Sequence, residues 1–277
     1  MGLHKDLFVS LLSGTYIDKF PDLPCPGCSK VSLKLSRREI KWRKSKRQYD
    51  PSKFSDDDFD SGILLGFLKV VGAVFEQAQW VQSRFTGFLK CANCDELVAV
   101  IGRGRQPTDY AKRTYGYSQE LFPEYFSPPI PLFELKSEFP DQVKLELVKS
   151  FATYFSDAAL SGSRMRVSVE LLLDHLGIEK YRKDKTGETI KTQSGKNQKL
   201  SLDARIKVLS DEYADYSKSL LAIKSIGNEA SHNTEIDRRD LLDAYQILDH
   251  VLTQIFVVPR INEEMEKLTS DVETKYS

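Results

Sequence analysis

Cys25-Pro26-Gly27-Cys28 and Cys91-Ala92-Asn93-Cys94 contain all four cysteines of this 277-residue chain. A Cys-x-x-Cys turn presents two sulfurs from one tight bend, and two such turns supply the four thiolates of a tetrahedral zinc site. Pro26 and Gly27 suit the bend, because proline presets φ and glycine tolerates positive φ. Two disulfides would require an oxidising compartment, and the first residues lack the charged and apolar regions of a secretory signal. A thioredoxin-like redox pair belongs after a strand in a βαβ unit and would not occur twice. The expected metal is therefore a structural Zn2+ on Cys25, Cys28, Cys91 and Cys94, with no coordination position left for catalysis.

The second pair sits between two strand-like runs, Arg84-Phe-Thr-Gly-Phe-Leu-Lys90 and Glu96-Leu-Val-Ala-Val-Ile101. Strand, knuckle, strand is the build of a zinc ribbon. Residues 29–90, 62 in number, separate the knuckles, against about 15 in a minimal ribbon. This insert carries a basic stretch, an acidic loop from Asp56 to Asp60 and an apolar segment from Ile63 to Phe75. Residues 1–104 are thus expected to form a small zinc-ribbon-like module with a long insert. Residues 105–140 hold Pro107, Pro123, Pro128, Pro129, Pro131 and Pro140 among Tyr110, Tyr115, Tyr117 and Tyr125. Prolines at that density disfavour helix and the aromatics argue against a free tether, so a connector packed along the second domain is expected.

From Asp141 the apolar period becomes helical. Leu147, Val148, Phe151, Tyr154, Phe155, Ala158 and Ala159 fall on one helix face. Met165, Val169, Leu172, Leu173 and Leu176 form a second, ended by Gly177. Leu202, Ile206, Leu209, Tyr213 and Tyr216 suggest a third, about Lys218 to Ser231 a fourth, and Leu241 to Ile255 a fifth, capped by Asp237 and stopped before Pro259. The polar, glycine-containing stretch 183–199 is expected to be a mobile loop. The fold class is α+β: the N-terminal module, an all-α bundle over 141–258 and a charged tail over 259–277.

Forty basic and forty acidic residues cancel, so no global field points to nucleic acid or membrane. The apolar stretch from Gly62 to Phe75, broken by Lys69, is too short to span a bilayer. Asp6 stands where a myristoylation signal carries Ser or Thr. A soluble, cytoplasmic protein without membrane contact is expected.

Leu221-Ala-Ile-Lys-Ser-Ile-Gly-Asn-Glu-Ala-Ser-His232, Met165-Arg-Val-Ser-Val-Glu-Leu-Leu-Leu173 and Ser201-Leu-Asp-Ala-Arg-Ile206 resemble bacterial domain of unknown function 4145 over about residues 128–257. A CxxC pair ahead of the helices is common there. That family is similar to the HEPN superfamily of helical bundles, many of them ribonucleases of toxin and phage-defence systems, frequently dimeric. The resemblance implies a HEPN-like bundle, a homodimer through the helical domain and a setting in bacterial or phage conflict. It places His232 and Asn228 on the family's ribonuclease motif, but Gly227 stands where that motif has its phosphate-orienting arginine. Lys224, one turn earlier, is the available cation. Gly227 equally suits close helix packing, and Asn228 and His232 equally suit structural hydrogen bonds; His175 and His250 carry no motif.

Lys34 to Arg47 contain eight Lys/Arg among fourteen residues, with Tyr49 beyond. Arg37, Arg38, Lys41, Trp42, Arg43, Lys44, Lys46 and Arg47 are candidates for phosphate contact and base stacking. A charged edge strand, or pairing with Asp56 to Asp60, would produce the same pattern. The sequence thus points to a non-catalytic zinc-containing adaptor that binds nucleic acid or a partner protein. A metal-independent endoribonuclease using His232, Asn228 and Lys224, and an antitoxin-like inhibitor, are the alternatives.

Overall fold

The computed structural model describes residues 5–44, 80–109, 112–113, 116, 118–209, 211–232 and 236–276. The chain divides into two compact units, one of residues 6–130 and one built on 131–277. The chain is α+β, as expected.

The first unit is an antiparallel sheet. Its strands are β1 (Thr15–Tyr16), β2 (Leu23–Pro24), β3 (Val31–Leu35), β4 (Lys41–Lys44), β5 (Trp80–Cys91), β6 (Leu97–Pro107) and β7 (Glu120–Ser127), with helix α1 (Lys5–Leu12) ahead of them. The order is β1-β7-β6-β5-β3-β2, and β4 continues the β3 edge along β5. The long β5–β6 hairpin follows from strict alternation: Ser83, Phe85, Gly87, Leu89 and Cys91 are buried, while Arg84, Thr86, Phe88 and Lys90 are exposed. Leu33, Val98, Val100, Leu121 and Phe126 complete the buried face. Gly104 leaves room there for the Trp42 ring, which a Cβ would meet at 2.5 Å. The stretch 105–140 corrects the expected connector, because its residues 120–127 are a strand paired with both β6 and β1. Pro123 fits that strand where a bulge shifts the register at Ile101/Gly102. The acidic loop, the apolar segment and Tyr49 lie outside the described residues.

The second unit is helical: α2 (Asp141–Thr153), α3 (Ala158–His175), α4 (Leu202–Ile206), a 3-10 turn (Asp211–Tyr216), α5 (Ser217–His232), α6 (Arg238–Phe256) and α7 (Val258–Tyr276). The single first helix expected over 147–159 is two. The Asp157 carboxylate accepts the Leu160 N–H at 2.8 Å and so starts α3 as an N-cap. Gly177, at φ +72°, ends it: its N–H donates to Asp174 O, and the Ile178 N–H to Leu173 O. Val143, Leu147, Met165, Val169, Leu172, Ile223, Leu241, Leu248 and Leu252 are fully buried. The Tyr245 hydroxyl lies among them, 2.5 Å from Ser150 Oγ and 2.7 Å from Ser161 Oγ, and burial pushes its pKa up to about 12.

Two further expectations change. The stretch 183–199 folds back on itself through bridges Tyr181–Lys199, Lys183–Thr189 and Lys191–Asn197, with Gly187 and Gly195 at positive φ as turn residues. The C-terminal tail over 259–277 is helix α7 as far as Tyr276. Among the described residues, Arg238–Tyr276 is the one helical stretch long and apolar enough for a membrane span. The apolar face of its α6 half is occupied by the bundle core: Leu241, Leu242, Tyr245, Leu248, Val251 and Leu252 are all buried.

Candidate metal centre and open sheet face

Each Cys-x-x-Cys turn sits at the end of a hairpin, Cys25–Cys28 between β2 and β3 and Cys91–Cys94 between β5 and β6. The two turns are built alike. The first cysteine's N–H donates to the carbonyl five residues on (Lys30, Glu96) at 2.9 Å, and its carbonyl accepts the N–H four residues on (Ser29, Asp95). Ser29 and Asp95 take positive φ, 58° and 61°, to make that reversal. Neither residue is flagged by the cysteine spacing, although Asp is among the residues that tolerate this region. The pairing of Leu33 with Cys91 brings the hairpins together, and Lys30 Nζ donates to Asn93 Oδ1 across them at 2.9 Å.

All four Sγ atoms lie within 4.8 Å of one another, so the cluster could hold one metal ion. Cys25 Sγ is 3.6 Å from Cys94 Sγ, and Cys28 Sγ is 3.7 Å from Cys91 Sγ. These separations exclude disulfides, whose S–S bond is about 2.05 Å. Backbone N–H groups point at the sulfurs, from Gly27 to Cys25 at 3.3 Å and from Asn93 to Cys91 at 3.3 Å. Without a metal, burial pushes the Cys25 thiol up to about 12. Burial also opposes ionisation of Cys91, but hydrogen bonds from Ser32 Oγ (3.0 Å) and two backbone N–H groups hold it down at about 6.

The outward sheet face carries a pattern that sequence spacing does not reveal. Arg43 pairs with Arg84, and Arg84 with Arg103, in direct cross-strand register over β4, β5 and β6. Lys34 pairs with Lys90 in the same way. Like charges directly opposite each other destabilise a sheet. Glu124 meets two of the arginines, at 2.7 Å to Arg84 and 2.5 Å to Arg103, and Asp95 meets Lys90 at 2.9 Å. Between the cationic rows lies an apolar and aromatic patch of Phe88 (42% exposed), Ile101 (47%) and Tyr125 (54%), and Leu97 (52%) extends the Lys34–Lys90 row beside it. Ile101 stands opposite Tyr125 on one side and Thr86 on the other, and Lys41 extends that row.

The basic stretch is therefore split by the structure. Lys41, Arg43 and Lys44 are exposed. Arg37 and Arg38 lie in a 3-10 turn ahead of β4, where Arg37 Nη2 donates to Asp18 O at 2.8 Å. Trp42 points to the other face, its ring 5.8 Å from that of Phe85, and so serves packing rather than an open stacking surface. Lys46 and Arg47 lie outside the described residues. Among the aromatic rings that face outward are Phe88 and Tyr125, neither of them a stacking candidate from sequence; their signal was the alternation of β5 and, in β7, the register with β6.

On α5, Lys224 Nζ is held by Asp203 Oδ1 at 3.1 Å. Gly227 packs against α3, where an added Cβ would come within 2.7 Å of Arg166 Cβ and 3.3 Å of Gly162 O. Asn228 is half-buried. His232 closes the helix, and its side chain lies outside the described ones. His175 stacks edge-on against Phe256 at 5.5 Å.

Residues 72–130 match the family described as domain of unknown function DUF8608, and this match closes at Ile130, where the sheet unit ends. No curated protein and no solved structure matches the chain. Residues 149–270, from inside α2 to well along α7, match the family described as domain of unknown function DUF4145, so the helical unit is similar to that family over most of its length.

Proposed function

We propose that this chain is a zinc-stapled, non-catalytic binding protein that takes single-stranded nucleic acid across the open face of its sheet. The observation that carries the reading is the in-register row Arg43–Arg84–Arg103, set beside exposed Phe88 and Tyr125. Glu124 offsets only part of the repulsion among these three guanidinium groups, and a polyanion relieves the rest while gaining charge-assisted contacts. Single strands offer both phosphates for the cations and free base faces for the rings. A duplex hides those faces.

Zinc fits the cysteine cluster on geometry. Four thiolates at about 2.3 Å from zinc form a tetrahedron with sulfur–sulfur edges of about 3.8 Å, close to the 3.6 and 3.7 Å found here. In a ribbon-like setting the ion fastens the β2–β3 hairpin to β5–β6, which positions Lys34 and Lys90 at the edge of the open face. With all four positions taken by sulfur, the ion contributes folding energy and no Lewis-acid site. The chain's own residues supply the chemistry of binding: Lys41, Arg43, Arg84 and Arg103 as phosphate donors, Phe88 and Tyr125 as stacking platforms.

The test is fluorescence anisotropy of the zinc-loaded chain with a labelled single-stranded oligonucleotide over a series of salt concentrations. Affinity is expected to fall with salt, and each of Lys41→Ala and Arg43→Ala to flatten the logarithmic slope by about 0.7. Phe88→Ala and Tyr125→Ala should each weaken binding by about 1–3 kcal/mol with little change in slope. Binding that ignores salt, or that survives all four substitutions, would refute the proposal.

A further inference from the structure

Helix α7 runs for 19 residues without a buried one. At 1.5 Å per residue it is about 28 Å long. Its apolar residues recur at Val258, Ile261, Met265, Leu268 and Val272, spacings of 3, 4, 3 and 4. Ile261, Met265, Leu268 and Val272 are 48–57% exposed. That spacing matches the a/d pattern of a coiled coil over about two and a half heptads, with Val258, Met265 and Val272 at a and Ile261 and Leu268 at d. An isolated helix of this length is marginal in water and gains its stability from packing. The root of α7 is anchored, since Arg260 Nη1 meets Glu138 at 2.8 Å, while its Nε pairs along the helix with Glu264 at 3.0 Å; the rest of the seam stands in solvent.

We propose that α7 pairs in parallel with the α7 of a second copy of this chain, making a short two-stranded coiled coil. The side chains choose the occupant. Residues 258–276 carry five carboxylates, Glu263, Glu264, Glu266, Asp271 and Glu273, against Arg260, Lys267 and Lys275. That balance repels nucleic acid and anionic lipid alike. β-Branched Val258 and Val272 at a with Leu268 at d favour two parallel strands; Ile261 at the other d position adds nothing to that preference. The flanking positions set the direction. Running from a to g, Glu264 and Asp271 occupy g, while Asn262, Thr269 and Tyr276 occupy e. In parallel, Glu264 faces the partner's Thr269 and Asp271 faces the partner's Tyr276, without charge conflict. In antiparallel, Glu264 of each copy would face the partner's Asp271, two carboxylate pairs per dimer. Lys275 at the last d position ends the seam.

This pairing uses neither the sheet face nor the metal centre, so it stands or falls apart from the nucleic-acid reading. The experiment is light scattering on the full zinc-loaded chain at concentrations up to about 100 µM. The expected mass is twice the 31.6 kDa of one chain, falling to one chain in Met265→Asp/Leu268→Asp. Retained zinc and an unchanged near-ultraviolet spectrum of the buried tyrosines show that the double variant is folded. A wild-type chain that stays monomeric over the range, or a double variant that stays dimeric, overturns the proposal. Direction is read from Val272→Cys: at an a position, parallel helices bring the two new thiols together, so mild oxidation should cross-link the dimer. A dimer that does not cross-link overturns the parallel arrangement.

Discussion

Replacing a helical glycine by alanine normally stabilises a protein; at Gly227 it should do the opposite. The helix gains about 1 kcal/mol in propensity. The new methyl carbon, however, would stand 2.7 Å from Arg166 Cβ and 3.3 Å from Gly162 O. The first atom is the root of its side chain and the second is backbone, so neither moves away without shifting α3. Overpacking of this kind costs about 1–3 kcal/mol. The net expectation for Gly227→Ala is a loss of about 1 kcal/mol, or roughly 2–4 °C in the melting midpoint of a unit of this size. Ala222, exposed on the same helix, supplies the control: Ala222→Gly should lose about 1 kcal/mol through propensity alone. Calorimetry on the two variants decides the matter. A rise in midpoint for Gly227→Ala would show that α3 and α5 are not in close contact there, and would refute the packing argument. The same geometry bears on catalysis. Gly227→Arg, which restores the ribonuclease motif's arginine on paper, should force α3 from α5 and unfold the bundle rather than create activity.

The remaining predictions concern the metal and the acid response. Zinc should be found at one ion per chain, and its removal by a strong chelator, or Cys91→Ser, should lower the sheet unit's melting midpoint by about 10 °C or more, since the loss of only 2–3 kcal/mol amounts to that. A midpoint unmoved by chelation would dismiss the metal's role as a staple. Acid should act on the helical unit through Glu146 and Asp174. Burial alone would raise both carboxyl pKa values, but Lys149 and Arg164 around Glu146, and Lys180 and buried Arg205 around Asp174, outweigh it and hold both below the usual carboxylate range. A lowered folded pKa means that the ionised pairs stabilise above the unfolded values, about 4.3 and 3.9. That stability is lost as pH falls through the folded values. The midpoint should therefore stay level from pH 8 to about 5 and decline below about 4; Glu146→Gln should flatten the decline, and an equal slope in the variant would count against the pairing.

The cysteine knuckles and the β5–β6 alternation were legible because each is a local rule: ligand spacing in one case, period two in the other. Asp237 and Gly177 were legible for the same reason, as cap residues. Strand β7 was hidden by Pro123 within it and Pro128 and Pro129 just after it, since the bulge that admits Pro123 is a property of the pairing with β6 and not of the strand itself. The division at Asp157 was hidden because Leu147 to Ala159 keep helical spacing across the break. The arginine row was hidden most deeply. Arg43, Arg84 and Arg103 are far apart in sequence, and only the register of three strands puts them side by side. Composition reported the opposite, a chain with charges in balance.

The knuckles also govern how this protein can change length. Cys28 and Cys91 bracket the insert, yet their sulfurs lie 3.7 Å apart, and the β3–β5 register fixes the chain on both sides. The two ends of the insert are thus set by the staple and the sheet, whatever lies between them. Lengthening a loop whose ends are already held adds only about 0.6 kcal/mol for each doubling. The place that tolerates a grafted reporter or small domain is accordingly the chain between β4 and β5, whose ends the Lys44–Ser83 pairing holds, whereas a single residue added between Cys91 and Cys94 would break the β5–β6 turn that carries two of the four sulfurs.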